Sequence, residues 1–162
     1  MLKVDIQDAF NRHINAEMYS SYLYLSMAAW FGTQNLSGMA GWMKAQSREE
    51  WGHAMKFYDY VLERGGAVKL DSIQAPPGEW ASPLAIFEQV CEHEAKVTGL
   101  IDALYEMVLA EKDHASAVFL AEFIREQVEE EAAAAAIAAR LRALGDAPAG
   151  LLMMDRALGE RK

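Results

Sequence analysis

Cysteine and long apolar runs are nearly absent from the sequence. Cys91 is the single cysteine, so the chain has no internal disulfide and no cysteine-based zinc or iron–sulfur site. No apolar run approaches the length of a membrane span, although 52% of the residues are hydrophobic. We expect no secretory signal at residues 1–5, because the n-region, apolar run and cleavage site of such a signal are missing there. We therefore expect a cytoplasmic protein with no membrane partner.

Basic residues are also scarce. The chain has 15 Lys and Arg against 24 Asp and Glu, which gives a formal net charge of −9. This excess of negative charge argues against nucleic acid as a partner and suits a protein that attracts cations. Strand patterns are nearly absent, and 162 residues suffice for one domain with its own core. We expect a single domain over residues 1–162.

Four long stretches repeat apolar residues with a helical period. They run from about residue 5 to 34, from 37 to about 64, from 83 onward, and from 113 to 145. Ser37, Ser82 and Asp113 are interpreted as the N-caps of the last three helices, because their side chains can bond free backbone N–H groups. An apolar tail over residues 151–158 predicts one more short helix. Its residues Leu151, Leu152, Met153 and Met154 are expected to be exposed and to need a partner.

The connections between these stretches indicate the topology. Short loops join the first helix to the second and the third to the fourth, so each pair should be antiparallel. About sixteen residues, including 76–78, separate the second and third helices, which is enough to run the length of a bundle. Such a connection would make these two helices parallel. We predict an all-α four-helix bundle over residues 1–145 with this long crossover, followed by a short C-terminal helix within 146–162.

Glu50 and His53 lie on the face of the second helix that should be buried. Residues three apart project from one side of a helix about one turn apart. Burying this pair without a partner is costly, and four-helix carboxylate proteins use Glu-x-x-His to hold iron or manganese. Glu111 and His114 have the same spacing, but they straddle a helix junction, and we interpret them as solvated loop residues.

The other three helices also carry polar residues where the apolar pattern predicts a hydrophobic one. They are Glu17, Glu94, Gln127 and Glu130. Glutamate is rarely buried without a partner, and several carboxylates on inward faces repel one another strongly. Divalent cations cancel that repulsion, and carboxylate with imidazole ligands suits iron(II), manganese or zinc. The pattern therefore predicts a metal centre inside the bundle.

These residues lie in segments that resemble the non-haem ferritins of bacteria and archaea over essentially the whole chain. The segments are 15–19, 49–53, 92–94 and 126–130, together with the loop at 76–77 and the tail at 151–155. The resemblance implies a ferritin-like fold and iron storage in a hollow shell of twenty-four identical subunits with octahedral symmetry. It also implies a ferroxidase centre that oxidises iron(II) with dioxygen or peroxide.

The resemblance further implies a division of ligands between two irons. The first iron site would use Glu17, Glu50 and His53. The second would use Glu50 as a bridge, with Glu94 and Glu130.

Further roles come from the same resemblance. Gln127 would stand beside the centre and orient oxygen or water. Tyr24 would donate an electron or a hydrogen bond, although a packed aromatic residue is an equally good interpretation. Glu49, Glu126 and Glu129 would form a third iron site, although an acidic run on a wet inner surface has the same composition.

Two departures exclude haem-carrying and rubrerythrin-like relatives. A second Glu-x-x-His is missing from the fourth helix, where Gln127 and Glu130 stand, and Trp51 replaces the methionine that binds haem in bacterioferritins. We therefore expect no haem.

The acids that usually line iron pores in this family are partly missing. Ala117 and Leu120 occupy part of that region, which leaves Asp113, His114 and Glu122 as candidates.

Two alternative functions remain open. One is a shell that nucleates mineral on acidic patches without catalysing oxidation. The other is a di-iron oxidase acting on an organic substrate, although we expect the bulky Tyr24, Trp51 and Phe123 to leave little room for one. The alanine run at 132–136 should stay helical, since alanine is the best helix former. The sequence leaves open whether this run arose by compositional drift or whether larger side chains were replaced, for close helix contact or by engineering.

Overall fold

A computed structural model describes residues 1–161, and within that range the protein is helical and has no strand. The helices are α1 (Val4–Thr33), α2 (Ser37–Glu63), α3 (Pro83–Ala110), α4 (His114–Leu144) and α5 (Pro148–Leu158). The four predicted long helices and the short C-terminal helix are confirmed; Lys162, the last residue of the predicted tail, lies outside the described residues. None of these helices is long and apolar enough to cross a membrane.

Two of the predicted N-caps are confirmed. The Ser82 hydroxyl accepts a hydrogen bond from the N–H of Ala85 at 3.1 Å. The Asp113 carboxylate accepts one from the N–H of Ser116 at 3.1 Å. Each side chain satisfies a backbone donor that the first helical turn leaves unpaired.

Two helices also end at glycines, where the sequence pattern places their ends. Gly65 and Gly145 have φ angles of 73° and 56°, in the left-handed region that glycine adopts without strain, and they follow α2 and α4. The alanines at 132–136 lie inside α4, which continues through them without a break, as their helix propensity predicts.

The predicted N-cap at Ser37 is wrong. The cap position of α2 is Leu36, and Ser37 is the first helical residue. The capping oxygen comes instead from α5, where Asp155 Oδ1 accepts a hydrogen bond from the N–H of Met39 at 2.7 Å. A carboxylate far along the chain therefore performs the role that the sequence pattern assigned to a local serine.

The chain divides into two compact units, one containing α1, α2 and α5 and the other containing α3 with nearly all of α4. In the first unit, α1 and α2 pack antiparallel. Phe10, near the start of α1, stacks edge-on against Phe57, near the end of α2, with ring centroids 5.3 Å apart. Midway along, Ser21 and Ser47 each donate a hydrogen bond to the other's carbonyl, at 2.7 and 2.8 Å. The predicted pairing of these two helices is confirmed.

The connection after α2 is attached along α1. The Asn11 side chain donates to the carbonyl of Ala67 at 3.0 Å, and the Ser26 hydroxyl donates to the carbonyl of Pro77 at 2.6 Å. Asn11 and Ser26 are about 22 Å apart along the helix at 1.5 Å per residue. The loop therefore follows α1 over about half of the length of that helix. The predicted parallel orientation of the second and third helices stays a prediction.

Helix α5 presses closely on the start of α2. A Cβ atom at Gly38 would lie 1.7 Å from the carbonyl oxygen of Asp155, so only glycine permits this approach. The apolar tail residues were expected to be exposed together, and this is wrong for Met154, which is 8% exposed. Leu152 and Met153 are exposed, by 62% and 74%.

The second unit is an antiparallel pair as well. Arg142, near the end of α4, forms a surface ion pair with Glu88 in the second turn of α3 at 3.0 Å. Gln127, midway along α4, contacts Glu94 in the middle of α3. The predicted antiparallel pairing of the third and fourth helices is confirmed.

Substituting Gly38 tests the contact between α5 and α2. Gly38→Ala is expected to lower the free energy of unfolding by about 1–3 kcal/mol, because the new methyl group overlaps a backbone carbonyl. Gly41→Ala in the same helix is the matched control, since a Cβ there meets nothing within 4 Å and alanine favours the helix. Thermal unfolding followed by circular dichroism measures both variants. A Gly38→Ala protein as stable as Gly41→Ala would contradict the close packing.

Candidate metal centre

Glu17, Glu50 and His53 form a buried group of metal-binding side chains. One possible ligand atom from each lies within 4.8 Å of the others, and no other such group of three occurs in residues 1–161. The three residues are 1%, 2% and 6% exposed. The three-residue spacing places Glu50 and His53 on one face of α2, and the antiparallel packing brings Glu17 of α1 opposite them. The structure thus assembles three of the predicted ligands.

Hydrogen bonds fix the orientation of these ligands. Nδ1 of His53 lies 3.0 Å from Oε2 of Glu50. Nε2 of His13 lies 2.7 Å from Oε1 of Glu17, one turn away on α1. The second oxygen of Glu17, Oε2, is buried and has no hydrogen-bond partner. An unsatisfied buried carboxylate oxygen is costly, and a bound cation would remove that cost.

His13 is absent from the predicted site. It is 4% exposed and lies on the same face of α1 as Glu17, four residues earlier. The i, i+4 spacing was visible in the sequence, but only the structure shows that the imidazole turns toward the carboxylate rather than toward the loop.

The surroundings of Glu17 favour its charged form. Burial raises the pKa of the carboxyl group, because it removes the water that stabilises the charge. The charge and the hydrogen bond of His13, together with the charge of His53, outweigh that effect, so the pKa of Glu17 lies below its ordinary value. Metal binding needs the carboxylate, so this environment keeps Glu17 ready to act as a ligand.

The reciprocal bonds between Ser21 and Ser47 support the cluster. Ser21 lies one turn after Glu17, and Ser47 lies one turn before Glu50. Both serines are buried, and their hydroxyls are 3.1 Å apart. The pair holds the two helix backbones at a fixed separation next to the ligands, which is how a rigid scaffold keeps a metal site in register.

A second polar cluster lies in the unit formed by α3 and α4. Glu94 is fully buried at 0% exposure. The Gln127 amide donates to Oε2 of Glu94 at 3.1 Å and to the Thr98 hydroxyl at 3.3 Å, and that hydroxyl in turn bonds Glu131. The structure therefore brings the predicted Glu94 and Gln127 together. It adds Thr98 and Glu131, each one turn after a predicted residue, a spacing that could have identified them.

The other predicted acids occupy more open positions. Glu126 and Glu130 are partly buried, and Glu129 is exposed. Glu49 is partly buried and forms an ion pair with Arg161 at 2.9 Å. The guanidinium of Arg161 also lies over the ring of Trp42, 4.7 Å from its centroid. No local sequence pattern predicts this cation beside Glu49.

The three aromatic residues expected near the site differ in burial. Tyr24 and Phe123 are buried, at 0% and 1% exposure. The expectation for Trp51 is wrong: it is 49% exposed, because a residue directly after Glu50 points about 100° away from the buried face. A cavity of about 360 Å³ also borders Gln127, lined by α3 and α4, so space beside that residue is larger than expected.

The predicted solvated loop at Glu111 and His114 is wrong for His114, which is the first residue of α4, whereas Glu111 is the C-cap of α3. Glu111 and His114 are both exposed and belong to no group of ligands within the described part of the chain. Among the pore candidates, Glu122 is exposed as well, whereas Asp113 uses both carboxylate oxygens to bond Ser116.

Known proteins match this chain along its length. Residues 7–144 match the family described as "Ferritin-like domain". A bacterial non-heme ferritin of Bacteroides fragilis is 48% identical over 161 residues, covering 99% of this chain and 100% of that protein. One from Campylobacter jejuni is 35% identical over 156 residues, covering 96% and 93%. The crystal structure of an open pore ferritin from the hyperthermophilic archaeon Archaeoglobus fulgidus aligns over 100% of both chains, with a TM-score of 0.99 and 49% identity.

A thermal-shift measurement tests whether the buried cluster holds a divalent cation. Manganese(II) is expected to raise the melting temperature of the wild type, because an ion bound only by the folded state stabilises it by about 2.7 kcal/mol at one hundred times Kd. Glu50→Ala should lose most of this gain. Glu63→Ala, an exposed acid on the same helix, should keep it. An equal manganese-dependent shift in Glu50→Ala and wild type would show that the cluster does not bind the ion.

Proposed function

The chain belongs to the ferritin-like domain family, as its sequence resemblance predicted, and we propose that it stores iron after oxidising iron(II) at a di-iron ferroxidase centre. The observation that carries the proposal is the buried group of Glu17, Glu50 and His53, with ligand atoms within 4.8 Å of one another. Two carboxylates and an imidazole match the ligand preferences of iron(II). The names of its relatives, bacterial non-heme ferritins, support the same function.

Each iron has its own proposed ligands. Glu17, Glu50 and His53 bind the first iron(II). Glu50 bridges to the second, which Glu94 and Glu130 complete. The burial of Glu94 and its contact with Gln127 support a role for this carboxylate beyond packing, since a buried carboxylate needs a charge partner.

The remaining predicted residues act around the centre. Gln127 restrains Glu94 and orients oxygen or water, and Tyr24 supplies an electron or a hydrogen bond. Glu49, Glu126 and Glu129 form a third iron site near the centre. Because Arg161 pairs with Glu49 at 2.9 Å, a cation binding there must displace or share that arginine.

The reaction follows from the ligands and the substrates. Two iron(II) ions each give up one electron. Dioxygen takes both electrons and two protons from two water molecules, whose hydroxides stay with the iron(III) product, and leaves as hydrogen peroxide. Alternatively, peroxide takes both electrons with two protons and leaves as two waters. Carboxylates favour the higher charge of iron(III), and their fixed positions lower the cost of reorganising around it. The product then moves to an inner cavity as ferric mineral.

Storage requires an assembly, and we propose a hollow shell of twenty-four copies with octahedral symmetry in the cytoplasm. The exposed apolar residues Leu152 and Met153 on α5 support contact with further copies. The net charge of −9 per chain concentrates cations near the protein. No haem is part of this proposal.

One observation favours a second candidate function, a di-iron oxidase that acts on an organic substrate. Such an enzyme needs a pocket beside the metals, and the cavity of about 360 Å³ next to Gln127 provides space. Its polar residues Thr98, Asp102 and Glu131 would face that substrate. Storage is preferred because the full-length relatives are ferritins.

Removing a ligand of the first iron tests the ferroxidase proposal. Glu50→Ala and His53→Ala are each expected to slow initial iron(II) oxidation by about 100-fold or more, since even the loss of an outer partner of a ligand costs roughly 10–100-fold. Assembly should stay intact, and Glu63→Ala should oxidise iron at the wild-type rate. Stopped-flow absorbance after mixing with aerobic iron(II) gives the rates. Wild-type rates in both ligand variants would refute the assignment.

The three acids of the proposed third site separate catalysis from simple nucleation. If the shell only nucleates mineral on acidic patches, oxidation slows with Glu49→Ala, Glu126→Ala and Glu129→Ala combined and is insensitive to His53→Ala. We expect instead that His53→Ala slows the first turnover strongly and that the triple acid variant slows it little, because these acids lie outside the buried cluster. Initial oxidation rates and later rates of mineral growth, measured in His53→Ala and in the triple acid variant, distinguish catalysis from simple nucleation.

A further inference from the structure

We propose that His13 is a positioning residue that makes Glu17 a one-oxygen ligand. Its imidazole donates a hydrogen bond to Oε1 of Glu17, which leaves Oε2 as the oxygen that binds metal. This inference rests on the proposed function, because it concerns a ligand of that centre.

The geometry of His13 supports a fixed role. Its ring is 4% exposed, and Nε2 lies 2.7 Å from Oε1 of Glu17. The ring of Phe57 lies against the imidazole, with centroids 4.5 Å apart. Packing from α2 therefore restrains the side chain while its nitrogen contacts the carboxylate. Because a carboxylate oxygen only accepts hydrogen bonds, Nε2 is the donor.

The two oxygens of Glu17 then differ in what they can do. Oε1 is occupied by the imidazole N–H, whereas Oε2 is buried without a hydrogen bond. Chelation of one metal ion by both oxygens would make Oε1 serve the metal and the imidazole N–H at once, which weakens the hydrogen bond of a buried donor and is unfavourable. With one oxygen bound, the metal keeps a further coordination position for water or an oxidant. Partners of this kind orient metal ligands in many proteins.

Cobalt(II) is a suitable probe, because its visible absorbance reports coordination geometry and does not depend on turnover. His13→Leu removes the donor with little change in volume. His13→Gln keeps an N–H group that can reach the carboxylate one turn away. We expect His13→Gln to bind cobalt(II) as the wild type does. His13→Leu should bind it about 10–100-fold more weakly. At saturation, His13→Leu should also show lower molar absorptivity, because a two-oxygen Glu17 raises the coordination number.

The outcomes separate this inference from the proposed function. If wild-type protein binds no cobalt(II), or if Glu50→Gln binds it equally well, the metal centre itself is refuted. If the wild type binds and Glu50→Gln does not, an unchanged affinity and spectrum in His13→Leu overturn the role of His13. A His13→Gln protein that behaves like His13→Leu would also overturn the positioning role of His13. It would mean that an N–H donor cannot replace the imidazole, as expected if the imidazole itself binds the metal. If His13→Leu fails to fold, His13→Met serves the same comparison.

Discussion

The burial of carboxylate charge is the constraint on which the rest of this structure depends. Glu17, Glu50 and Glu94 are 2% exposed or less, in positions where a helical protein would ordinarily place hydrophobic residues. Moving an ion from water into a protein interior costs several kcal/mol even after relaxation. Each carboxylate has a hydrogen-bonding side chain within one turn or on the adjacent helix: His13, His53 and Gln127, respectively. These partners orient the carboxylates, and a cation would balance their charge.

The packing around the first cluster keeps α1 and α2 at a fixed separation. Ser21 and Ser47 bond each other's backbone beside the ligands, and the aromatic contact of Phe10 with Phe57 lies about two turns from Glu17 and Glu50. At the other end of α2, α5 supplies a carboxylate cap through Asp155. Such contacts hold the ligand atoms at fixed positions, and metal affinity depends strongly on the geometry of the ligands.

The sequence predicted most of the fold and the centre of the site. Apolar periodicity gave the helices, because burying a stripe requires a period near 3.6 residues, and the full-length match to ferritins confirms the ferritin-like fold class. The spacing of Glu50 and His53 predicted their shared face. What could not be predicted depends on contacts between distant segments. Asp155 replaces Ser37 as the cap of α2, and Arg161 reaches Glu49, across more than one hundred residues in each case. No local pattern carries that information.

Iron loading of the assembled protein tests the central claim most directly. The mass of the particle would first be measured by size-exclusion chromatography with light scattering, and iron(II) would then be added in air in increments while absorbance records ferric product. Our account predicts a large particle that takes up many irons per chain in soluble form, with rapid oxidation of the first two. A small oligomer that stops at two irons per chain would contradict storage.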